Sequence, residues 1–169
     1  MFEGMDTDPP LGWAAVYAFE AANDVVLPEP YRSFVATVTR GGKTCGPPFY
    51  GLWSPGSVPR DWPDFGAIRL DQRFPLSEAW IWEDDEARAD GVAVGDIYSR
   101  GIVPLGTDGD SMYWVLVVTG EHRGHVWNIA DGGAQPFGRE FGYTTGDSGF
   151  LGWVRHWYSD AEWWDAPAS

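Results

Sequence analysis

The stretch that decides the fold is residues 102–130, IVPLGTDGDSMYWVLVVTGEHRGHVWNIA, where apolar runs alternate with polar segments that contain glycine. The middle run, residues 112–118, is apolar on both of its alternating faces, which predicts a central strand covered on both sides. The glycine-containing segments predict turns, so neighbouring runs should pair as antiparallel strands. We therefore expect an antiparallel meander at the centre of the domain.

Two helices are predicted before this stretch. Residues 12–23, GWAAVYAFEAAN, are rich in alanine and place larger apolar side chains three apart. The second helix opens at residues 27–30, LPEP, because the first turn of a helix tolerates proline, and it ends at the glycine pair 41–42. Its apolar face is predicted to carry Tyr31, Phe34, Val35 and Val38.

The segment Gly146-Asp147-Ser148-Gly149 matches the residues that surround the nucleophile of chymotrypsin-like serine proteases. A nucleophilic serine also needs a base, an acid that orients the base, and oxyanion donors, and none of the 3 histidines lies in a recognisable histidine motif of those proteases. The segment is better explained as the start of an amphipathic helix, capped by Asp147 or Ser148. Its apolar face would carry Phe150, Trp153, Val154, Trp157, Tyr158, Ala161 and Trp164.

These elements together predict an α+β domain with N-terminal helices, an antiparallel β-sheet and a C-terminal amphipathic helix. Between residues 43 and 100, proline and glycine punctuate short apolar pieces such as 48–53 and 79–82, which predicts brief strands and loops. A length of 169 residues fits one domain over 1–169, with residues 1–11 as a flexible N-terminal lead.

Acidic residues outnumber basic ones by 25 to 11, giving a formal charge of -14, so nucleic acid and anionic membranes would be repelled. The surplus either keeps the chain in solution or selects a basic partner. The acids concentrate in WEDDEARAD (82–90), a solvated loop or a contact face, and in an acidic β-turn at 107–111. The predicted partner-binding residues are Trp82, Glu83, Asp84, Asp85, Glu86, Asp108 and Asp110.

Compartment and cofactors are predicted from what the sequence lacks. The longest apolar runs are shorter than the roughly 18 residues needed to cross a bilayer, and the first residues do not resemble a signal peptide. The one cysteine, Cys45, fits a reducing compartment, so we expect a cytoplasmic protein.

His122 and His125 would face opposite sides of a hairpin strand without a third ligand, so we expect no metal and no cofactor.

The 11 tryptophans raise the alternative of a carbohydrate-binding module, because exposed indole rings stack on sugars. Most of them fall on apolar stripes or strands that predict burial. The predicted buried ones are Trp13, Trp114, Trp153, Trp157 and Trp164, which leaves Trp62, Trp82 and Trp163 as predicted exposed rings.

Three segments carry a resemblance to a known family. Residues 19–42 contain LPEPYRSF and end in glycines, residues 101–131 contain GIVPLG followed by HVW, and residues 148–157 read SGFLGWVRHW. In their order and spacing these segments resemble the SUKH superfamily, named partly for yeast cell-wall regulators of the Smi/Knr type. The chain departs from the usual family pattern at Arg40, where the family has asparagine before glycine, and at Asp110, where it has a further glycine.

The resemblance implies a non-catalytic interaction domain, most often a bacterial immunity protein that neutralises a cognate toxin, frequently a nuclease. Other members regulate cell-wall synthesis or signalling, so the fold does not settle the role. We expect a non-enzymatic protein that binds a toxin with a basic surface and occludes it. A housekeeping regulatory scaffold of the same fold and a tryptophan-rich carbohydrate-binding module are the alternatives.

Overall fold

The computed structural model describes residues 5–44, 52–82, 91–142 and 144–159. Its α+β architecture confirms the predicted class, and no helix within these ranges is long and apolar enough to cross a membrane. The elements in chain order are β1 (Met5–Thr7), α1 (Trp13–Asn23), α2 (Tyr31–Thr37), β2 (Gly42–Thr44), α3 (Val94–Ser99), β3 (Ile102–Gly109), β4 (Met112–Val117), β5 (Val126–Ala130), β6 (Gly133–Pro136), a 3-10 turn (Arg139–Phe141) and α4 (Gly149–Tyr158).

The central sheet is antiparallel with strand order β3-β4-β5-β6, as the meander prediction requires. Residues 113–118 are buried, and their side chains alternate between two cores. Trp114 and Leu116 face the helices, where they join Tyr31 of α2 and Trp153 of α4. On the opposite face Tyr113, Val115 and Val117 pack with Phe74, Leu76, Trp80, Ile97 and Tyr98. Both faces of β4 are therefore apolar because each face packs in its own core.

The turn between β3 and β4 confirms the predicted acidic β-turn. Gly109 pairs with Met112, and the two residues between them, Asp110 and Ser111, have φ angles of 49° and 60°. Positive φ at both central positions is the type I′ geometry that matches the twist of a two-residue hairpin. Aspartate tolerates this conformation better than most residues, so the fold accommodates Asp110 where the family pattern has glycine.

The predicted helices are present, with differences at their ends. Val38, predicted on the buried face of the second helix, lies just beyond α2 and is half exposed. In α4, Phe150, Trp153 and Val154 are buried as predicted, whereas the side chains of Trp157 and Tyr158 and all of residues 160–169 lie outside the described residues.

The contacts before α4 differ from the predicted helix cap. The Ser148 hydroxyl donates to the Glu140 carboxylate at 2.9 Å, and Asp147 forms an ion pair with Arg139. Both polar side chains are therefore bonded to the 3-10 turn at 139–141. These bonds tie that turn to the start of the helix.

Several short elements were missed from the sequence. β1 pairs antiparallel with β2, and the Leu11 amide donates to the Val35 carbonyl at 2.9 Å. Residues 5–7 therefore pair with β2 and Leu11 is bonded to α2, whereas a flexible lead was expected over residues 1–11, of which 1–4 lie outside the described residues. Strands of three or four residues, such as β1, β2 and β6, are too short for an alternating pattern to reveal them.

Gly101, the first residue of GIVPLG, stands where three chain segments meet. Its φ is +65°, and a Cβ there would lie 2.5 Å from the Gln72 carbonyl oxygen and 2.7 Å from that of Thr119. Its amide donates to the Arg69 carbonyl, and its carbonyl accepts from the Val118 amide. Only glycine permits this close approach, which explains physically why the motif begins with it.

Candidate partner-binding surface

The sheet has an acidic end. Because Tyr113 of β4 pairs with Ile129 of β5, the β3-β4 turn and the β5-β6 turn lie at the same end of the sheet. Asp110 is in the first turn and Asp131 in the second, and Asp61 joins them because its carbonyl accepts from the Tyr113 hydroxyl at 2.8 Å. All three carboxylates are exposed, and we call this group the acidic end.

The charges of the acidic end contribute to raised pKa values at two tyrosine hydroxyls. Burial, then the charge of Asp61, raises the pKa of Tyr113 to about 12. Burial, then the charge of Asp131, also raises the pKa of Tyr98, whose hydroxyl donates to the Ala130 carbonyl at 3.3 Å. Both hydroxyls remain neutral donors, so they hold the strand ends without offsetting the negative charge.

Trp82 has a different place from the one predicted. It is buried, its ring packs against Trp80 with centroids 5.4 Å apart, and its indole N–H donates to the Asp131 carbonyl. The expectation of an exposed Trp82 is therefore wrong, because the indole closes the second core, and its contact with a partner stays a prediction. Trp82 instead holds the chain at the acidic end immediately before Glu83.

The remaining predicted contact residues are only partly described. Asp110 is exposed in its turn as expected for a contact residue, but the side chain of Asp108 lies outside the described residues. Glu83, Asp84, Asp85 and Glu86 lie outside them entirely. The contact role of these acids therefore stays a prediction.

Two exposed apolar side chains border the acidic end. Phe65 is 48% exposed and stacks on Tyr98 with ring centroids 5.4 Å apart. Ile81, next to Trp82, is 43% exposed. Apolar groups surrounded by charged ones are the usual composition of a protein interface, and sequence reasoning missed both.

A second exposed surface lies on α1. Trp13, predicted to be buried, is 36% exposed, and Tyr17 one turn later is 54% exposed, with ring centroids 5.8 Å apart and an interplanar angle of 29°. The buried side of α1 carries Val16 and Glu20 instead. The prediction for Trp13 is wrong because an alanine-rich helix is apolar all round, so its spacing does not say which side faces the core.

Arg32 of α2 fixes these rings in place. Its guanidinium carbon lies 5.4 Å from the centroid of each ring, within cation–π range. Its Nε and Nη2 donate to the two carboxylate oxygens of Glu20 at 2.6 and 2.9 Å, and the Leu27 amide donates to the same carboxylate at 2.9 Å. The hydrogen bond from Arg32 lowers the pKa of Glu20 despite its burial. The sequence spacing did not reveal the Glu20–Arg32 pair, because the two residues are twelve positions apart.

A chain of polar groups lies at the opposite end of the sheet. The Ser148 hydroxyl contacts Glu140, whose other carboxylate oxygen is 3.8 Å from Nε2 of His125. The Nδ1 atoms of His125 and His122 are 3.0 Å apart, since both residues lie in the β4-β5 connection, not on opposite faces of a strand as expected. In a serine-protease triad the imidazole contacts the hydroxyl, whereas here the carboxylate does. Because the imidazole does not contact the hydroxyl, this arrangement does not activate Ser148 as a nucleophile.

Metal ligands and an apolar cleft are the two remaining features of the described ranges. No group of three or more His, Cys, Asp or Glu side chains there is arranged to hold a metal ion. A cleft between α1 and β3 has a volume of about 170 Å³ and is lined by Phe19, Asn23, Gly56, Ser57, Val58, Ile68, Leu70, Ile102, Val103 and Pro104. That lining contains neither acid nor base, and the cleft is smaller than the roughly 300 Å³ at which ligand pockets begin.

Comparison with known protein families gives a match over most of the chain. The family model described as the SMI1 / KNR4 family (SUKH-1) matches residues 14–146, from α1 through the 3-10 turn. Searches of curated proteins and of solved structures gave no match.

Proposed function

Because the chain belongs to the SMI1 / KNR4 family (SUKH-1), we propose that it is an immunity protein, which binds a cognate protein toxin and blocks it by occlusion. Family membership over residues 14–146 is the observation that carries this proposal. Domains of this family are often immunity proteins. The protein performs no chemistry of its own in this role, which agrees with the reversed order of groups at Ser148.

Charge supports a basic partner. The chain carries a formal charge of -14, and the acidic end presents three exposed carboxylates beside the exposed side chains of Phe65 and Ile81. Long-range attraction raises the rate at which oppositely charged proteins meet. The predicted contact acids Glu83, Asp84, Asp85 and Glu86 add four negative charges to the chain. Binding takes place in the cytoplasm, a reducing compartment that suits a chain with the single cysteine Cys45.

The proposal is tested by capture and rescue. The tagged full chain is purified from its native cells, and the protein that co-purifies is identified and expressed alone, with this chain, or with an unrelated acidic protein of similar charge. We expect a basic protein that stops growth alone and with the unrelated protein, but not with this chain. A partner that is harmless alone overturns immunity and favours the regulatory scaffold. Retention of the chain on polysaccharide, with quenched tryptophan fluorescence, would favour the carbohydrate-binding module.

A further inference from the structure

The outward face of α1 is uncharged, which is unusual for a surface helix. Every residue of α1 is described, and its exposed side chains are Trp13, Ala14, Ala15, Tyr17, Ala18, Ala21 and Ala22. The one acidic residue of the helix, Glu20, points inward. A helix on the surface of a globular protein normally turns charged residues toward water. Here the helix presents an apolar strip instead, and we call these seven residues the α1 face.

The aromatic part of the α1 face is supported by contacts within the protein. Arg32 lies over both rings and makes two hydrogen bonds to Glu20, so Trp13, Tyr17 and Arg32 form one contact group. Binding to side chains that are already ordered costs less conformational entropy. Tryptophan, tyrosine and arginine are also the residues most enriched among those that dominate the energy of protein interfaces.

Acidic side chains border this uncharged strip. Exposed Asp8 lies before the start of α1, exposed Asp24 follows its last residue, and exposed Glu29 adds its charge to the field at Arg32. The nearby arginines are engaged, since Arg32 is bonded to Glu20, Arg40 lies 3.9 Å from Asp8, and the Arg123 guanidinium donates to the Val26 carbonyl. An apolar centre with a negative border complements a partner that has an apolar centre and a basic border.

We propose that the α1 face is the surface on which a basic protein partner docks, with Trp13 and Tyr17 as its anchors. The proposal rests on the proposed function and deepens it, because it names the surface that holds the toxin. A second copy of this chain is a poor occupant, since it would bring another charge of -14 and the same acidic border against the first. The acidic end steers the encounter over distance, whereas the α1 face makes the short-range contacts.

The acidic end and the α1 face should affect different rate constants of binding. Rim and remote charges act mainly on the association rate, whereas loss of a buried anchor acts mainly on the dissociation rate. The experiment measures both rates for the co-purified partner and the full chain carrying Trp13→Ala, Tyr17→Ala or both changes. We expect each single change to raise the dissociation rate about tenfold or more, with the association rate altered less than about threefold.

Two further variants make the test independent of folding and of charge. Val58→Ala shortens an apolar side chain that is 49% exposed and belongs neither to the α1 face nor to the acidic end, and we expect it to dissociate at close to the parent rate. Ala18→Glu leaves the core untouched and adds a negative charge that favours a basic partner. It should still raise the dissociation rate, because it places a charge in the apolar centre of the α1 face. Thermal melting of each variant confirms that it is folded.

The outcomes separate this proposal from the function it rests on. If a toxin is captured and the Trp13, Tyr17 and Ala18 variants dissociate like the parent, the α1 face is not the docking surface, although immunity stands. If the captured partner is not a toxin, the immunity role fails, yet faster dissociation of these variants still supports the α1 face. Capture of no protein at all overturns both, whereas a self-association that the same substitutions abolish overturns only the α1 face as the docking surface for a basic partner.

Discussion

The Nδ1 atoms of His122 and His125 lie 3.0 Å apart in the turn between β4 and β5. Nε2 of His122 is 2.8 Å from the Ser77 carbonyl oxygen, which can only accept, so this nitrogen carries the proton. One of the two facing Nδ1 atoms donates the hydrogen bond to the other. Nε2 of His125 faces the Glu140 carboxylate at 3.8 Å.

This arrangement predicts that stability falls with moderate acidification. Burial, then the neighbouring His122, lowers the pKa of His125, and Glu140 only partly opposes them. The native state therefore binds the proton less readily than the unfolded chain, whose histidine titrates near pH 6.5. The stabilisation is complete above about pH 6.5 and is lost as the pH falls through the lowered pKa of the folded state.

The measurement is thermal melting of the parent and of His125→Asn between pH 7.5 and 5. We expect the melting temperature of the parent to fall more over this range than that of the variant, in which the side-chain amide can replace the hydrogen bond at Nδ1. Equal pH profiles would show that His125 is not the group responsible. Glu20 does not interfere, because its pKa is lowered and its contribution is lost only at a more acidic pH.

Gly101→Ala is expected to destabilise the fold severely. A Cβ there would lie 2.5 to 2.7 Å from backbone atoms of residues 72, 74 and 119, none of which can move independently of the sheet. Gly142→Ala is the matched control, since its φ of +84° is similar but no atom lies within 4 Å of the added carbon. Gly142→Ala should cost only the roughly 1 to 2 kcal/mol of the left-handed conformation. Urea unfolding of both variants checks this, and equal losses would contradict the crowding argument.

Neutralising the acidic end should slow binding. Asp61, Asp110 and Asp131 changed together to asparagine should lower the association rate with a basic partner about tenfold at low salt. The predicted contact acids Glu83, Asp84, Asp85 and Glu86, changed to glutamine and asparagine in a separate variant, should lower it similarly. The difference should shrink near 0.15 M salt, where the screening length is about 8 Å. The control neutralises Asp71, Asp96 and Glu121, which are ion-paired elsewhere on the chain. If this control slows association as much, net charge and not the acidic end does the steering.

Ser148→Ala should leave partner binding unchanged. The hydroxyl contributes an exposed hydrogen bond to Glu140, so we expect a loss of about 1 kcal/mol or less in the free energy of unfolding. Denaturant unfolding and the binding assay are run on the same preparation. Complete loss of function in a variant that remains folded would restore Ser148 as a nucleophile.

The family of this chain was recognisable from the sequence because its motifs encode local geometry. LPEPYRSF begins a helix, and GIVPLG begins with a glycine that must have positive φ. The central strand was also predictable, since Tyr113 to Val118 are apolar at every position and so require a core on each face.

The burial of some tryptophans could be predicted from the sequence, and the burial of others could not. Trp114 and Trp153 were predicted to be buried and are, because they lie on a central strand and on a clear amphipathic stripe. Trp13 and Trp82 were assigned the wrong way round. Nothing local distinguishes them, since Trp13 lies on a helix that is apolar on every side and Trp82 lies at the edge of an acidic segment.

The sequence by itself determined the fold class, the central strand, the starts of α1, α2 and α4 and the acidic character of the surface, because each depends on neighbours within a few residues, whereas α3 was missed. The tertiary structure alone decided which way α1 faces, through the pairing of Glu20 with Arg32 across twelve residues. It also decided the burial of Trp82, through its bond to a carbonyl 49 residues away. Such pairings are set by how distant segments pack together, and no periodicity along the chain records them.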